Sequence, residues 1–174
     1  MFDDDYFSLF GIPVSFAVDL NALKASHKRL QAAFHPDRYV NATEQEQRMA
    51  LQYAMHINEA YNCLVSPVKR ARYLLSLQGV DCQSEHTTVA DVSFLQQQMQ
   101  WRESLDDIDT LEQMHQLQQD VAEQLLKTQE TFASQYSQGD FKASVAALHK
   151  MEFITKFQQA VVEHQQSIQH PNQR

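Results

Sequence analysis

His35-Pro36-Asp37 sets an imidazole and a carboxylate on either side of a proline. These are the residue types of a general base and the group that orients it. Hydrolysis would also need a nucleophile or a metal beside them, and a proline between the two disfavours their forming a dyad. Histidine is frequent enough to suggest metal binding, but His115, His149 and His164 lack ligand spacing such as i, i+4, and His149 and His164 read as helix-surface residues. Cys63 and Cys82 are too few for a disulfide framework or a structural zinc site. Cys63 is expected to pack beside the core, and Cys82 to lie in a connector. The expectation is therefore a chain with no catalytic residue, no metal and no cofactor, in which the tripeptide serves recognition.

Two helices must hold that tripeptide. Leu20, Leu23, His27, Leu30 and Phe34 recur at helical spacing, and Asp19 is placed to cap the first amides. Lys24, Lys28 and Arg29 fall off the apolar stripe and onto the solvent side. Pro36 pushes His35 out of the α region, so the helix ends near Phe34. Asp37 is expected to turn its side chain onto nearby amides and hold the bend. Thr43-Glu44-Gln45-Glu46 is a capping-box pattern, and the stripe Ala50, Tyr53, Ala54, Ile57, Tyr61, Leu64 follows it. The result is an antiparallel hairpin with a stiff polar loop at its tip and positive charge close by.

The rest of the chain reads as helix too. Each of the three glycines, Gly11, Gly79 and Gly139, sits where a helical stretch ends, and no run of alternating β-branched residues occurs. Ser66-Pro67 pairs a cap with a first helical position, opening a helix through Leu74, Leu75 and Leu77 that Gly79 stops. Residues 80–90 are polar and unpatterned, as a connector would be. Three helices follow. One spans Val92 to Asp106. The next opens at Thr110 with Gln113 completing a capping box, and carries Met114, Leu117, Val121, Leu125, Phe132 and Tyr136. The last follows Gly139-Asp140 and carries Val145, Leu148, Met151, Ile154, Phe157, Val161 and Ile168. Short connections between them predict a three-helix bundle. His170 to Arg174 reads as a frayed tail. The expected fold is all-α, with domains at 1–78 and 92–170 and a connector at 79–91.

Charge separates the two halves. Residues 1–78 carry eight basic and eight acidic side chains, while residues 79–174 carry six and fourteen, the whole excess of −8. A phosphate-binding surface would be basic, so nucleic acid is disfavoured as a partner. The acidic start Met1-Phe2-Asp3-Asp4-Asp5 and the absence of a long apolar run predict a cytoplasmic protein with no membrane association.

The first bundle helix has one apolar face too many. Phe94, Trp101, Leu105 and Ile108 fall within about 60° of arc and form its core side. Leu95 and Met99 lie one turn apart on a second stripe with Gln96, Gln100, Glu103 and Asp107. That stripe has three readings: packing on the first domain, no function, or binding a partner. As a partner site it would gain ~1.5–3 kcal/mol from each apolar residue it buries, enough for a transient complex.

Several segments occur together in a fixed order: Asp4-Asp5-Tyr6-Phe7-Ser8-Leu9-Phe10-Gly11-Ile12-Pro13, His27-Lys28-Arg29-Leu30, His35-Pro36-Asp37, Ile57-Asn58-Glu59-Ala60-Tyr61 and Lys69-Arg70-Ala71-Arg72-Tyr73. Over residues 1–75 this resembles the J-domain, which docks on a DnaK-type ATPase chaperone and stimulates ATP hydrolysis. His27 stands where tyrosine is common, and Arg38 where lysine is usual; both departures keep the basic character. Tyr73-Leu74-Leu75-Ser76-Leu77-Gln78-Gly79, Phe94-Leu95 and Arg102-Glu103-Ser104-Leu105-Asp106-Asp107 extend the likeness. Over nearly its whole length the chain resembles the HscB family of iron–sulfur cluster co-chaperones, and lacks the cysteine-rich leading segment of eukaryotic members, as a bacterial-type member would.

The resemblance implies a two-domain, L-shaped monomer that delivers the scaffold protein IscU to the chaperone HscA. It puts chaperone docking on His35, Pro36, Asp37, Lys24, Lys28, Arg29 and Arg38. Scaffold binding falls on Leu95, Gln96, Met99, Gln100, Glu103, Asp107 and Phe153, with Gln96 and Gln100 departing from residues found in some relatives. The competing reading is a general J-domain adapter that carries a different client to a DnaK-type chaperone.

Overall fold

The computed structural model describes residues 5–82 and 91–169; the tail at 170–174 and most of the expected connector lie outside them. The described residues form helices α1 (Tyr6–Phe10), α2 (Leu20–Ala33), α3 (Glu44–Val65), α4 (Pro67–Leu77), α5 (Val92–Asp106), α6 (Leu111–Ser137) and α7 (Phe141–Gln169), with a 3₁₀ turn at Pro36–Tyr39. The fold is all-α, as expected. It divides into two compact units, Met1–Val80 and Asp81–Arg174.

In the first unit, α2 and α3 run antiparallel. Phe34 near the end of α2 stacks on Tyr53 early in α3 at 4.8 Å, while His27 stacks on Tyr61 at 3.9 Å. The Thr43 capping box forms as expected, with Glu46 accepting from the Thr43 amide at 2.9 Å. Asp19 caps α2 through the amides of Asn21 and Ala22. Leu23, Ile57, Leu64, Leu74 and Leu75 are fully buried together with Phe7 and Phe10. Leu20, assigned to the apolar stripe, is instead exposed. It is the first residue of α2, and only Leu23, one turn on, is fully buried.

Helix α1 carries Phe7 and Phe10 into that core. Its periodic stretch is too short for pattern reading, but two local signals bracket it. The Asp5 carboxylate accepts from the amides of Phe7 and Ser8, and Gly11 closes the helix at φ +67°, a left-handed geometry that glycine adopts without a Cβ clash. Arg70 also packs into this core. It is only 6% exposed; its Nη1 donates to the Leu64 carbonyl at 2.6 Å and its guanidinium lies 4.9 Å from the centre of the Phe16 ring. Burial pulls its pKa down. Of the Lys69-Arg70-Ala71-Arg72 run, Arg70 is thus a core residue.

In the second unit, α6 and α7 pack along their length and α5 adds its apolar side. Trp101, Ile108, Met114, Leu117, Val121, Ile154, Phe157 and Val161 make one buried cluster, with Phe94, Leu105, Leu125 and Phe153 against it. Trp101 stacks on Phe157 at 5.5 Å. Val145, Leu148 and Met151 are buried as expected, while the side chain of Ile168 lies outside the described set. One sequence assignment changes here: His149, expected on the surface, is half-buried, while Cys82 lies between α4 and α5 as expected and is itself buried. His149 Nε2 donates to the Cys82 carbonyl at 3.0 Å, fastening the start of the connector onto α7. A second tie follows α5's start. Lys150 reaches from α7 to the Asp91 carboxylate, the N-cap of α5, and lies 5.3 Å from the Phe94 ring centre. The hydrogen bond from Lys150, with those from Ser93 and the Phe94 amide, holds the Asp91 carboxyl well below the usual range.

Candidate functional site: an exposed tripeptide tip and an apolar helix face

The tripeptide lies in the open. The His35 and Asp37 side chains are 57% and 86% exposed, and Pro36 and Arg38 are exposed with them. The bend is not held as the sequence suggests. His35, not Asp37, caps the 3₁₀ turn: its Nδ1 accepts from the Asp37 amide at 3.3 Å. The Asp37 carboxylate comes back to within 3.5 Å of the same nitrogen. The two side chains therefore do meet across the proline, because the 3₁₀ turn folds residue 37 back towards residue 35. The tip is open to water, unlike a pocket that shields a reaction.

What fixes the tip is a set of side-chain bonds to backbone carbonyls. Helix α2 ends with carbonyls that have no helical amide to accept from. Arg38 Nη1 donates to the Ala32 carbonyl at 3.1 Å and Tyr39 Oη to the Ala33 carbonyl at 3.4 Å. Across the turn, Gln47 Nε2 donates to the carbonyls of Val40 and Ala42 at 3.2 and 3.1 Å. Arg38 thus supplies positive charge at the tip and also terminates α2, a role its sequence position alone did not reveal. Further along the hairpin, Asn58 Oδ1 accepts from Gln31 Nε2 at 2.9 Å and lies 3.0 Å from His27 Nε2. His27, in a place where tyrosine is common, so keeps an aromatic stack and gains a polar tie. Lys24, Lys28 and Arg29 are exposed and carry no carboxylate partner among the described residues.

The second candidate surface lies on α5. Leu95 and Met99 are 48% and 62% exposed, and Gln96, Gln100, Glu103 and Asp107 are exposed on the same side. Phe153 on α7 differs in kind. It is half-buried, edge-on to Phe94 at 5.7 Å and near-parallel to Phe157 at 6.3 Å, and the Arg102 guanidinium lies 5.7 Å from its ring centre. Leu95 directly follows Phe94, one ring of this cluster, in the chain.

Cys63 is half-buried; burial pushes its thiol pKa up, away from the thiolate a nucleophile needs. Among the described residues no group of three or more histidine, cysteine, aspartate or glutamate side chains is placed to hold a metal ion. None of the helices there is long and apolar enough to cross a membrane.

Residues 90–162 match the family model described as the HSCB C-terminal oligomerisation domain. The co-chaperone protein HscB homologue of Cupriavidus taiwanensis is 38% identical over 158 residues, covering 89% of this chain and 90% of that protein. The chain belongs to the HscB co-chaperone family. The HscB homologue of Shewanella oneidensis is 39% identical over 161 residues, or 88% of this chain and 92% of that protein. The solved structure of chaperone HscB from Vibrio cholerae superposes with a TM-score of 0.85 at 32% identity, covering 95% of this chain and 99% of that one. Membership makes the chain a J-domain co-chaperone with a C-terminal helical bundle.

Proposed function

We propose that this HscB-family chain works in iron–sulfur cluster assembly by holding two partners at once, in the cytoplasm and as a monomer, without chemistry of its own. Residues 1–78 act as the J-domain, 79–91 as connector and 92–170 as the scaffold-binding bundle. Lys24, Lys28, Arg29 and Arg38 attract an acidic surface of the DnaK-type chaperone HscA, and His35, Pro36 and Asp37 engage its switching region. Binding that favours the hydrolysis-competent conformation raises ATP turnover, because a ligand shifts an equilibrium by its differential affinity for the two states. The observation that carries this half is a polar tip, exposed and fixed by four side-chain bonds to backbone carbonyls.

The scaffold protein IscU binds the α5 face through Leu95 and Met99, with Phe153 beside them and Gln96, Gln100, Glu103 and Asp107 around the rim. Burying the exposed part of the apolar pair supplies on the order of 1 kcal/mol per residue, since roughly half of each is already covered. Such a contact is weak by design of its size, and it is useful because tethering the scaffold beside the chaperone raises its effective concentration.

The alternative client is tested by a pull-down with the full chain carrying His35→Gln, which removes chaperone docking. Recovery of a cysteine-bearing scaffold supports the reading; recovery of a spread of unfolded polypeptides supports a general adapter. Light scattering of the purified chain checks the monomer against the oligomerisation named in the family model's description.

A further inference from the structure

A groove of about 490 Å³ opens between α5 and α6, next to the apolar pair but not part of it. Ile108 and Leu117 contribute apolar side chains to it; both belong to the buried cluster. Three carboxylates line it, Glu103 and Asp107 from α5 and Asp120 from α6. None of the three has a cationic partner among the described residues; Asp120 accepts only the Gln116 side-chain amide, at 2.9 Å. We propose that this groove takes a lysine or arginine side chain of the scaffold, so that the scaffold-binding face continues from α5 onto α6 through Asp120. The proposal rests on the scaffold reading above.

The chemistry of the walls selects this occupant. The three carboxylates lining the groove have no cation of their own among the described residues, so a partner's cation entering it gains attraction from each. A long aliphatic stem covers the apolar floor while its charged head stays with the carboxylates at the rim, and a guanidinium meets a carboxylate in paired bonds. An anionic side chain would add to the repulsion. A metal ion does not suit the site, since the carboxylates are not gathered into a group that could hold one. The groove is also continuous with the α5 stripe. Glu103 and Asp107 follow Met99 by four and eight residues, which at helical rise is about 6 and 12 Å. A partner segment in extended form spans that distance in about two to four residues. It would thus carry an apolar residue for Leu95 and Met99 and, a few positions away, a basic residue for the groove.

The test is titration calorimetry of the full chain with purified IscU scaffold at about 50 mM and about 500 mM salt. Four proteins are compared: the unaltered chain, Asp120→Lys, Glu130→Lys as the same charge change elsewhere on α6, and Leu95→Ala. The expected result is that Asp120→Lys weakens binding about tenfold at low salt and flattens its salt dependence, while Glu130→Lys stays within about twofold. Asp120→Lys behaving like the unaltered chain overturns the groove, as does an equal loss in both lysine variants, which would mark a general field. In either case a loss on Leu95→Ala leaves the scaffold reading standing. Failure of the unaltered chain to bind the scaffold overturns both. Asp120 and Glu130 are exposed, and circular dichroism checks that each variant retains its helices.

Discussion

The tip of the hairpin and the outer face of α5 are both exposed, and they are built on opposite principles. The tip is polar, and its shape comes from hydrogen bonds between long side chains and the carbonyls of α2 and the turn. Beyond Val40 and the Pro36 ring it offers little apolar area, and it presents an imidazole, a proline ring and a carboxylate in one arrangement. The α5 face has no such network. It offers two apolar side chains among carboxylates and amides, so a partner docking there would draw affinity from burial and selectivity from charge. A third region shows that exposure alone does not define a site. Leu51 and Met55 repeat the Leu/Met pair one turn apart on the back of α3, at 51% and 64% exposure. They are as open as Leu95 and Met99, but lie on the helix side opposite Ala50, Ile57 and Leu64.

The comparison predicts effects of graded size. The largest is His35→Gln, which should reduce stimulation of chaperone ATP turnover to the basal rate while scaffold affinity stays within about twofold. Leu95→Ala with Met99→Ala should raise the scaffold Kd on the order of ten- to a hundredfold and leave stimulation by the J-domain unchanged, as read by calorimetry and by ATP turnover. Loss of both activities in one folded single-site variant would break the two-surface picture. Arg38→Ala should weaken stimulation several-fold, since it removes both a charge and the bond to Ala32; Arg38→Lys should restore the charge but not all of the activity. Leu51→Ala with Met55→Ala should change scaffold affinity by less than about twofold.

The smallest effect concerns support rather than docking. The Asp91 carboxyl has its pKa lowered by Lys150, so its stabilising contribution is present above the ordinary aspartate range and fades as pH falls through the folded-state value. Thermal melts should therefore show the unaltered chain losing stability below about pH 4. Asp91→Ala should melt a few degrees lower at neutral pH, Asp91→Asn by less because asparagine still caps, and the difference should shrink in acid.

Most of the fold was legible because the helix boundaries are written in local chemistry. Asp19, Thr43-Glu46, Ser66-Pro67, Thr110-Gln113 and Gly139-Asp140 each terminate a helix by bonds to residues within a turn, and each occurs where expected. The exposed tripeptide and the exposed Leu95 and Met99 were legible for the same reason: helical periodicity says which side chains leave the core. What was not legible depended on partners distant in sequence or on a turn's detailed path. Cys82 and His149 are 67 residues apart, and neither hints at the other. Lys150 and Asp91 are separated by 59 residues. The His35 cap and the return of Asp37 required the 3₁₀ turn, which a proline permits but does not specify. Arg70 stands in a charged run, and its place in the core depends on the Phe16 ring and the Leu64 carbonyl.

The central claim is that this chain acts by gripping a chaperone's switch with the tip and its client with the bundle. Steady-state ATP turnover of purified HscA, measured with this protein alone and then with IscU added, tests it most directly. Stimulation by the protein alone, a further rise with the scaffold, and loss of the rise when Leu95 and Met99 are both alanine are the predicted results. Turnover that stays at the basal rate with the unaltered chain, or an undiminished response from the His35→Gln variant, would contradict it.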